Sequence, residues 1–220
     1  KTDNTFISPY FGRTIKEDEI VEALNKRWAK VTEDPKLDEF KKRLEKELLN
    51  KEINPQQKLV VFSESKETTS YITNALKKDG RTDVLEVHAG NRDRLKETIK
   101  LNFDANIPRE EYLSDYKIII CTEVLAEGVN LHRSNVIVNY DTPWNSTKLM
   151  QRIGRVNRIG SVAPHIHIFN FYPTAKVNSD IELEKKAIMK LQAFHSALGE
   201  DSEIYSPDEE IQSFGLFEKD

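Results

Sequence analysis

The chain has 220 residues, of which 38% are hydrophobic and 32% charged, enough for one sizeable domain with an appendage or for two small domains. No apolar run approaches the ~20 residues of a membrane-spanning helix, and nothing at the start has the form of a signal peptide, so neither a membrane helix nor secretion is expected. The net charge of −4 argues against a nucleic-acid binder that works by bulk charge, and the single cysteine excludes an internal disulfide or a two-cysteine metal motif.

The first segments read as helices. In "TIKEDEIVEALNKRWAK" (14–30), Ile20, Val21, Leu24 and Trp28 recur at helical spacing. "DPKLDEFKKRLEKELLNK" (34–51) opens on Asp34-Pro35, a helix start, and carries a stripe of Leu37, Phe40, Leu44 and Leu48 until Asn54-Pro55 breaks it.

The pattern then alternates. "KLVVFS" (58–63) is a predicted strand and "KETTSYITNALKKD" (66–79) a helix. "VLEVH" (84–88) is a strand and "NRDRLKETIKLNF" (91–103) a helix. "KIIICT" (117–122), "NVIVNYD" (135–141) and "HIHIFNF" (165–171) complete the strands. Such alternation predicts an α/β fold, a parallel sheet covered by helices on both faces. Ligands of these folds sit at the carboxyl ends of the strands, which is where Ser63, His88, Thr122 and Asp141 fall. Cys121, inside an apolar run, is expected to be buried and inert, which suits a reducing and hence cytoplasmic compartment. The expected layout is a helical linker or insertion over 1–33, the α/β domain over 34–175, and a C-terminal helix with an acidic tail over 176–220.

The stretch 142–179 holds no acidic residue but contains Lys148, Arg152, Arg155, Arg158 and Lys176, so a local positive patch is compatible with the negative total. Within it lies "QRIGRVNRIG" (151–160). If that stretch is helical, at about 100° per residue Gln151, Arg155 and Arg158 share one stripe, and Leu149, Ile153 and Val156 lie opposite. Arg152 falls to the side, and Gly154 flanks the stripe, where it lets a backbone or ligand come close. An ordinary surface helix has the same polarity. "CTEVLAEGVNL" (121–131) places Thr122 at a strand end, Gly128 where a turn or a close approach is possible, and Asn130 within reach of a sugar or side chain. A strand-to-helix turn with a glycine cap reads the same way. In "VVFSES" one of Ser63 and Ser65 is an N-cap and the other is left for a phosphate. His165 and His167 share a strand face without a third ligand, so no metal site is expected.

Taken in order, these stretches resemble the second RecA-like lobe of superfamily 2 helicases over about residues 34–172. "LVVFSES" is similar to motif IV, "HAGNRDRLKETIKLNF" to the His-Gly…Arg element, "TEVLAEGVNL" to motif V, and "NVIVNYDTPWNSTKLMQRIGRVNRIGS" to the run into motif VI. The Gln-Arg-Ile-Gly-Arg form resembles Swi/Snf-type ATPases, particularly bacterial ones. DEAD-box enzymes instead carry Asp and His where this chain has Asn130 and Gln151. The resemblance implies a P-loop-NTPase-like (RecA-like) sheet and a site for ATP and Mg²⁺ shared with an N-terminal RecA-like lobe. None of the eight glycines precedes Lys-Ser/Thr, so the P-loop is expected in that other lobe. The resemblance further implies catalytic arginines Arg155 and Arg158 meeting the γ-phosphate, with Gln151, Gly128 and Asn130 on the nucleotide side. Ser63, Thr122 and His88 would contact the nucleic-acid backbone, DNA being favoured over RNA. The alternative is a RecA-fold protein-interaction module without ATPase activity.

Overall fold

Four short apolar runs have every strand residue buried or nearly so, and they build the sheet of this computed structural model, which describes residues 5–7, 14–28, 33–125, 128–143 and 146–172. The chain divides into two compact units, 1–38 and 39–220.

In the first unit, β1 (Thr5–Ile7) pairs antiparallel with β2 (Thr14–Lys16), which leads directly into α1 (Glu17–Trp28). The expected helix therefore loses its first three residues to a strand, and α1 starts at Glu17. Val21 and Leu24, which recur at helical spacing, are exposed. A second helix, α2 (Pro35–Arg43), opens as its sequence suggests: the Leu37 N–H donates to Asp34 Oδ1 at 3.0 Å.

In the second unit, a π-helical turn (Leu44–Leu48) follows, with Phe40, Leu44 and Leu48 buried. The chain then alternates through β3 (Leu59–Phe62), α3 (Lys66–Lys78), β4 (Val84–Val87), α4 (Arg92–Phe103), β5 (Ile118–Cys121), β6 (Val136–Asn139), α5 (Ser146–Val156) and β7 (His167–Asn170). The five strands form one parallel sheet in the order β4-β5-β3-β6-β7. Side chains alternate across it. Val60, Phe62, Val87, Ile119, Cys121 and Ile137 pack with Ile99 and Phe103 of α4 and Leu149, Ile153 and Val156 of α5. Ile72 and Leu76 of α3 are also buried. This is the expected RecA-like arrangement. Cys121 is buried as expected, and burial pushes its thiol well above the usual range, which makes it unreactive.

Register decides where the ends fall. Phe62 is level with Cys121 and Asn139, and Val87 with Cys121. The residues that follow each strand, Ser63, His88, Thr122 and Tyr140-Asp141, therefore emerge along one edge of the sheet.

At the opposite edge, two buried cations pin the loop after α4. Arg133 Nη1 donates to Leu101 O and Leu113 O, both at 2.9 Å, and its guanidinium lies 4.0 Å from the Tyr112 ring centroid. Lys58 Nζ donates to Tyr116 O at 2.6 Å, and burial pushes its pKa down to about 8. The tail over 173–220, including the predicted helix through Ile181 to Leu198, lies outside the described residues.

Candidate functional site

The carboxyl ends of β3, β4 and β5 enclose an open pocket of about 430 Å³. Its lining includes Glu64, Lys66, His88, Gly90, Thr122 and Glu123. Two of the three residues expected to meet nucleic acid, His88 and Thr122, are thus brought together. His88 Nδ1 accepts the Gly90 N–H at 3.1 Å, which leaves the proton of the neutral ring on Nε2, a donor suited to a phosphate oxygen. The Thr122 N–H is committed to Val87 O at 3.2 Å, so only its hydroxyl is offered.

Ser63 is a correction. It is fully buried, and its hydroxyl donates to Asp141 Oδ2 at 2.5 Å, a bond that ties the end of β3 to the segment after β6. The chain turns inward at Ser63, and the residues facing the pocket from β3 are Glu64 and Lys66. Ser65 is the N-cap of α3, accepting the Thr68 N–H at 3.1 Å.

The arginine stretch is helical only as far as Val156. Leu149, Ile153 and Val156 are buried on one side, while Gln151 and Arg155 are half-buried, as the helical wheel requires. Arg158 lies beyond the helix in a tight turn, so its wheel angle does not apply. Its N–H donates to Ser161 Oγ at 3.1 Å, Ser161 N–H returns to Arg158 O at 2.9 Å, and Gly160 (φ +91°) supplies the left-handed residue. From there Arg158 Nη1 donates to Asn130 Oδ1, and the Leu131 N–H donates to Arg155 O at 2.9 Å. Asn130 and Arg158 therefore meet through their side chains although they come from two separate motifs, while Arg155 meets that loop through its backbone carbonyl and its Nε donates to Gln151 O at 3.4 Å. Gly128 (φ +74°) lies in the same loop, where a Cβ would come within 2.9 Å of Arg92 Nη2. The conformation calls for glycine there, whereas the Arg92 guanidinium, at the far end of a flexible side chain, can give way.

Arg152 lies off the stripe, as the wheel places it, and is fully buried. Nε donates to Glu123 Oε1 at 2.8 Å and Nη2 also reaches that oxygen; Nη2 donates to Glu64 Oε1 at 3.1 Å. Nη1 donates to Asn139 Oδ1 at 2.8 Å and to Asp141 O at 3.0 Å. One guanidinium thus joins α5 to the ends of β3, β5 and β6, and the two carboxylates it neutralises also line the pocket. Its place on the wheel, at the border between polar and apolar faces, was the sequence signal: an arginine there reaches under the helix as readily as into solvent.

Gly154 has nothing within 4 Å of the position its Cβ would take. Within this chain the helix gains nothing from a glycine there. Gly154→Ala is expected to stabilise the isolated chain by about 0.4–1 kcal/mol, read as a small rise in melting temperature. A fall would mean that the position is crowded in solution.

Among the described residues, no cluster of His, Cys, Asp and Glu could hold a metal ion, and no helix is long and apolar enough to cross a membrane.

Comparison with known proteins agrees with this architecture. The family described as "Helicase conserved C-terminal domain" matches residues 39–160. The uncharacterized ATP-dependent helicase YqhH of Bacillus subtilis (strain 168) is 31% identical over 147 residues, covering 67% of this chain and 24% of that protein. The ATP-dependent RNA helicase DBP2 of Candida glabrata is 32% identical over 133 residues, covering 60% of this chain and 23% of its own length. The chain thus spans about a quarter of the length of these curated relatives. The crystal structure of the C-terminal part of the Fun30 ATPase domain superposes with a TM-score of 0.53 at 16% identity, covering 79% of this chain and 55% of that one, a likeness of fold. The family match spans more than half of the 220 residues, and the chain belongs to the helicase conserved C-terminal domain family.

Proposed function

We propose that this chain is the second lobe of an ATP-dependent nucleic-acid translocase whose first lobe carries the P-loop and the Mg²⁺ ligands. The observation that carries the reading is the meeting of Arg158 with Asn130 beyond the end of α5, where the backbone of Arg155 also meets the loop that holds Gly128. Guanidinium groups remain charged at any working pH and fork onto phosphate oxygens, so they suit the charge that spreads over a γ-phosphate during transfer. Gln151, Gly128 and Asn130 form the nucleotide side. The pocket of His88, Thr122 and Lys66 takes a backbone phosphate of the strand, and its carboxylates Glu64 and Glu123 are compatible with that anion because Arg152 and Lys148 neutralise them. ATP binding closes the lobes, hydrolysis opens them, and the backbone contacts shift. With no Gly-Lys-Ser/Thr among its residues, this chain by itself turns over no ATP. The Gln151 form of the arginine motif favours DNA, while the name of the DBP2 relative makes RNA the competing ligand. A reducing, cytoplasmic setting suits the lone buried thiol.

The test is fluorescence anisotropy of this chain with labelled single-stranded DNA and RNA at two salt concentrations. Binding is expected to be weak, indifferent to sequence, and to fall with salt as counterions are released. His88→Ala and Thr122→Ala are each expected to weaken it. No binding to either nucleic acid, with the fold intact, would leave the reading of a protein-interaction module. Tight binding that ignores salt would contradict both the pocket and its chemistry.

A further inference from the structure

Asp104 belongs to none of the motifs, yet it stands at the head of a hydrogen-bond chain that ends on an arginine of the site. It follows α4 directly, and its backbone N–H donates to Lys100 O at 3.0 Å, closing the helix. Its side chain is only 13% exposed. Oδ1 accepts the Asn106 N–H at 2.8 Å and lies 3.7 Å from Nδ1 of the buried His132. Oδ2 accepts Asn130 Nδ2 at 3.0 Å, and the other end of that amide, Oδ1, accepts Arg158 Nη1.

A primary amide has one donor end and one acceptor end. Turned about, Asn130 would set its NH₂ against a guanidinium and its oxygen against a carboxylate, and both contacts would repel. The carboxylate therefore decides which end faces the arginine. We propose that Asp104 is a positioning residue that aims the Arg158 guanidinium through the Asn130 amide. The proposal rests on the reading of Arg158 as a phosphate-meeting arginine. The arginine is otherwise a long exposed side chain whose backbone alone is fixed, by the turn with Ser161. A pre-aimed guanidinium loses less conformational entropy when its phosphate arrives. His132, whose pKa burial holds below the usual range, stands on the Oδ1 side of the carboxylate and leaves Oδ2 to Asn130.

Two measurements test this. In this 220-residue chain, side-chain NMR relaxation of the Arg158 Nε–H reads its order directly. Arg158 is expected to be restrained in the parent, loosened in Asp104→Ala to the level of exposed Arg94, and restrained only in part in Asp104→Asn, whose single amide oxygen must serve either the Asn130 hydrogen or the Asn106 N–H. Equal melting temperatures show that the variants are folded. In the complete two-lobe protein, Asp104→Ala is expected to lower kcat roughly tenfold, with the KM for ATP changed by no more than about twofold, and Asp104→Asn to restore only part of it. Unchanged order in Asp104→Ala overturns the proposal. So does an unchanged kcat when Arg158→Ala abolishes turnover. If Arg158→Ala itself leaves turnover intact, the functional reading of Arg158 fails, and the order measurement alone decides whether Asp104 aims it.

Discussion

Arg155→Ala and Arg158→Ala are each expected to cut ATP turnover of the complete two-lobe protein by about a hundredfold or more, against the ~10³–10⁵ that an arginine finger can supply. Nucleotide binding should weaken much less, because the lobe with the P-loop would carry most of the affinity. The expected signature is therefore a fall in kcat with a modest change in KM. Neither variant removes a core contact: Arg155 is half-buried, Arg158 is exposed, and the buried side of α5 is Leu149, Ile153 and Val156. Circular dichroism and a melting curve would verify the fold. The contact between Arg158 and Asn130 adds a finer expectation: Asn130→Ala should lower kcat in the same direction but less, because it removes the support and not the charge. Turnover that survives both arginine substitutions would mean that family membership describes this fold and not its chemistry.

Arg152→Ala is expected to fail in a different way. The substitution leaves Glu123, Glu64, Asn139 and the Asp141 carbonyl without the cation that joins them, and opens a cavity over Phe62, whose ring centroid lies 5.1 Å from the guanidinium carbon. Removing one partner of a buried ionic network costs about 3–5 kcal/mol. The lower end applies here, since the side chains of Glu64 and Glu123 are 42% and 27% exposed and water can re-solvate them. Denaturant unfolding of this chain would read the loss as a lower midpoint at unchanged slope. Arg152→Lys should recover only part of it, because an ammonium cannot fork onto Glu123 while also reaching Asn139. A cost below about 1 kcal/mol would show the network to be no stronger than a surface ion pair. Arg155→Ala and Arg152→Ala thus separate cleanly: the first should lose turnover and keep stability, the second should lose stability, and the pocket walls with it.

Much of this protein was legible in its sequence. "LVVF", "VLEV", "IIIC" and "VIVN" are strands because short apolar runs rich in β-branched residues fit a sheet covered on both faces, and each is a strand in the structure. The buried stripe of α5 and the inert Cys121 follow from local pattern in the same way. Motif spacing pointed to Asn130, Arg155 and Arg158 as candidates. Local pattern could not say that β3 lies between β5 and β6, because that order is set by crossovers between segments far apart in sequence. Nor could it say what each polar group meets. A helical wheel holds only while the helix lasts; α5 stops at Val156, and a turn carries Arg158 to Asn130. The sequence placed Arg152 at a helix flank and Ser63 at a strand end, without partners. Once the strands are in register, Arg152 and Ser63 are enclosed, and a buried charge or hydroxyl must find partners nearby. Those partners, Glu64, Glu123, Asn139 and Asp141, come from three other strand ends, and only the tertiary structure brings them within reach.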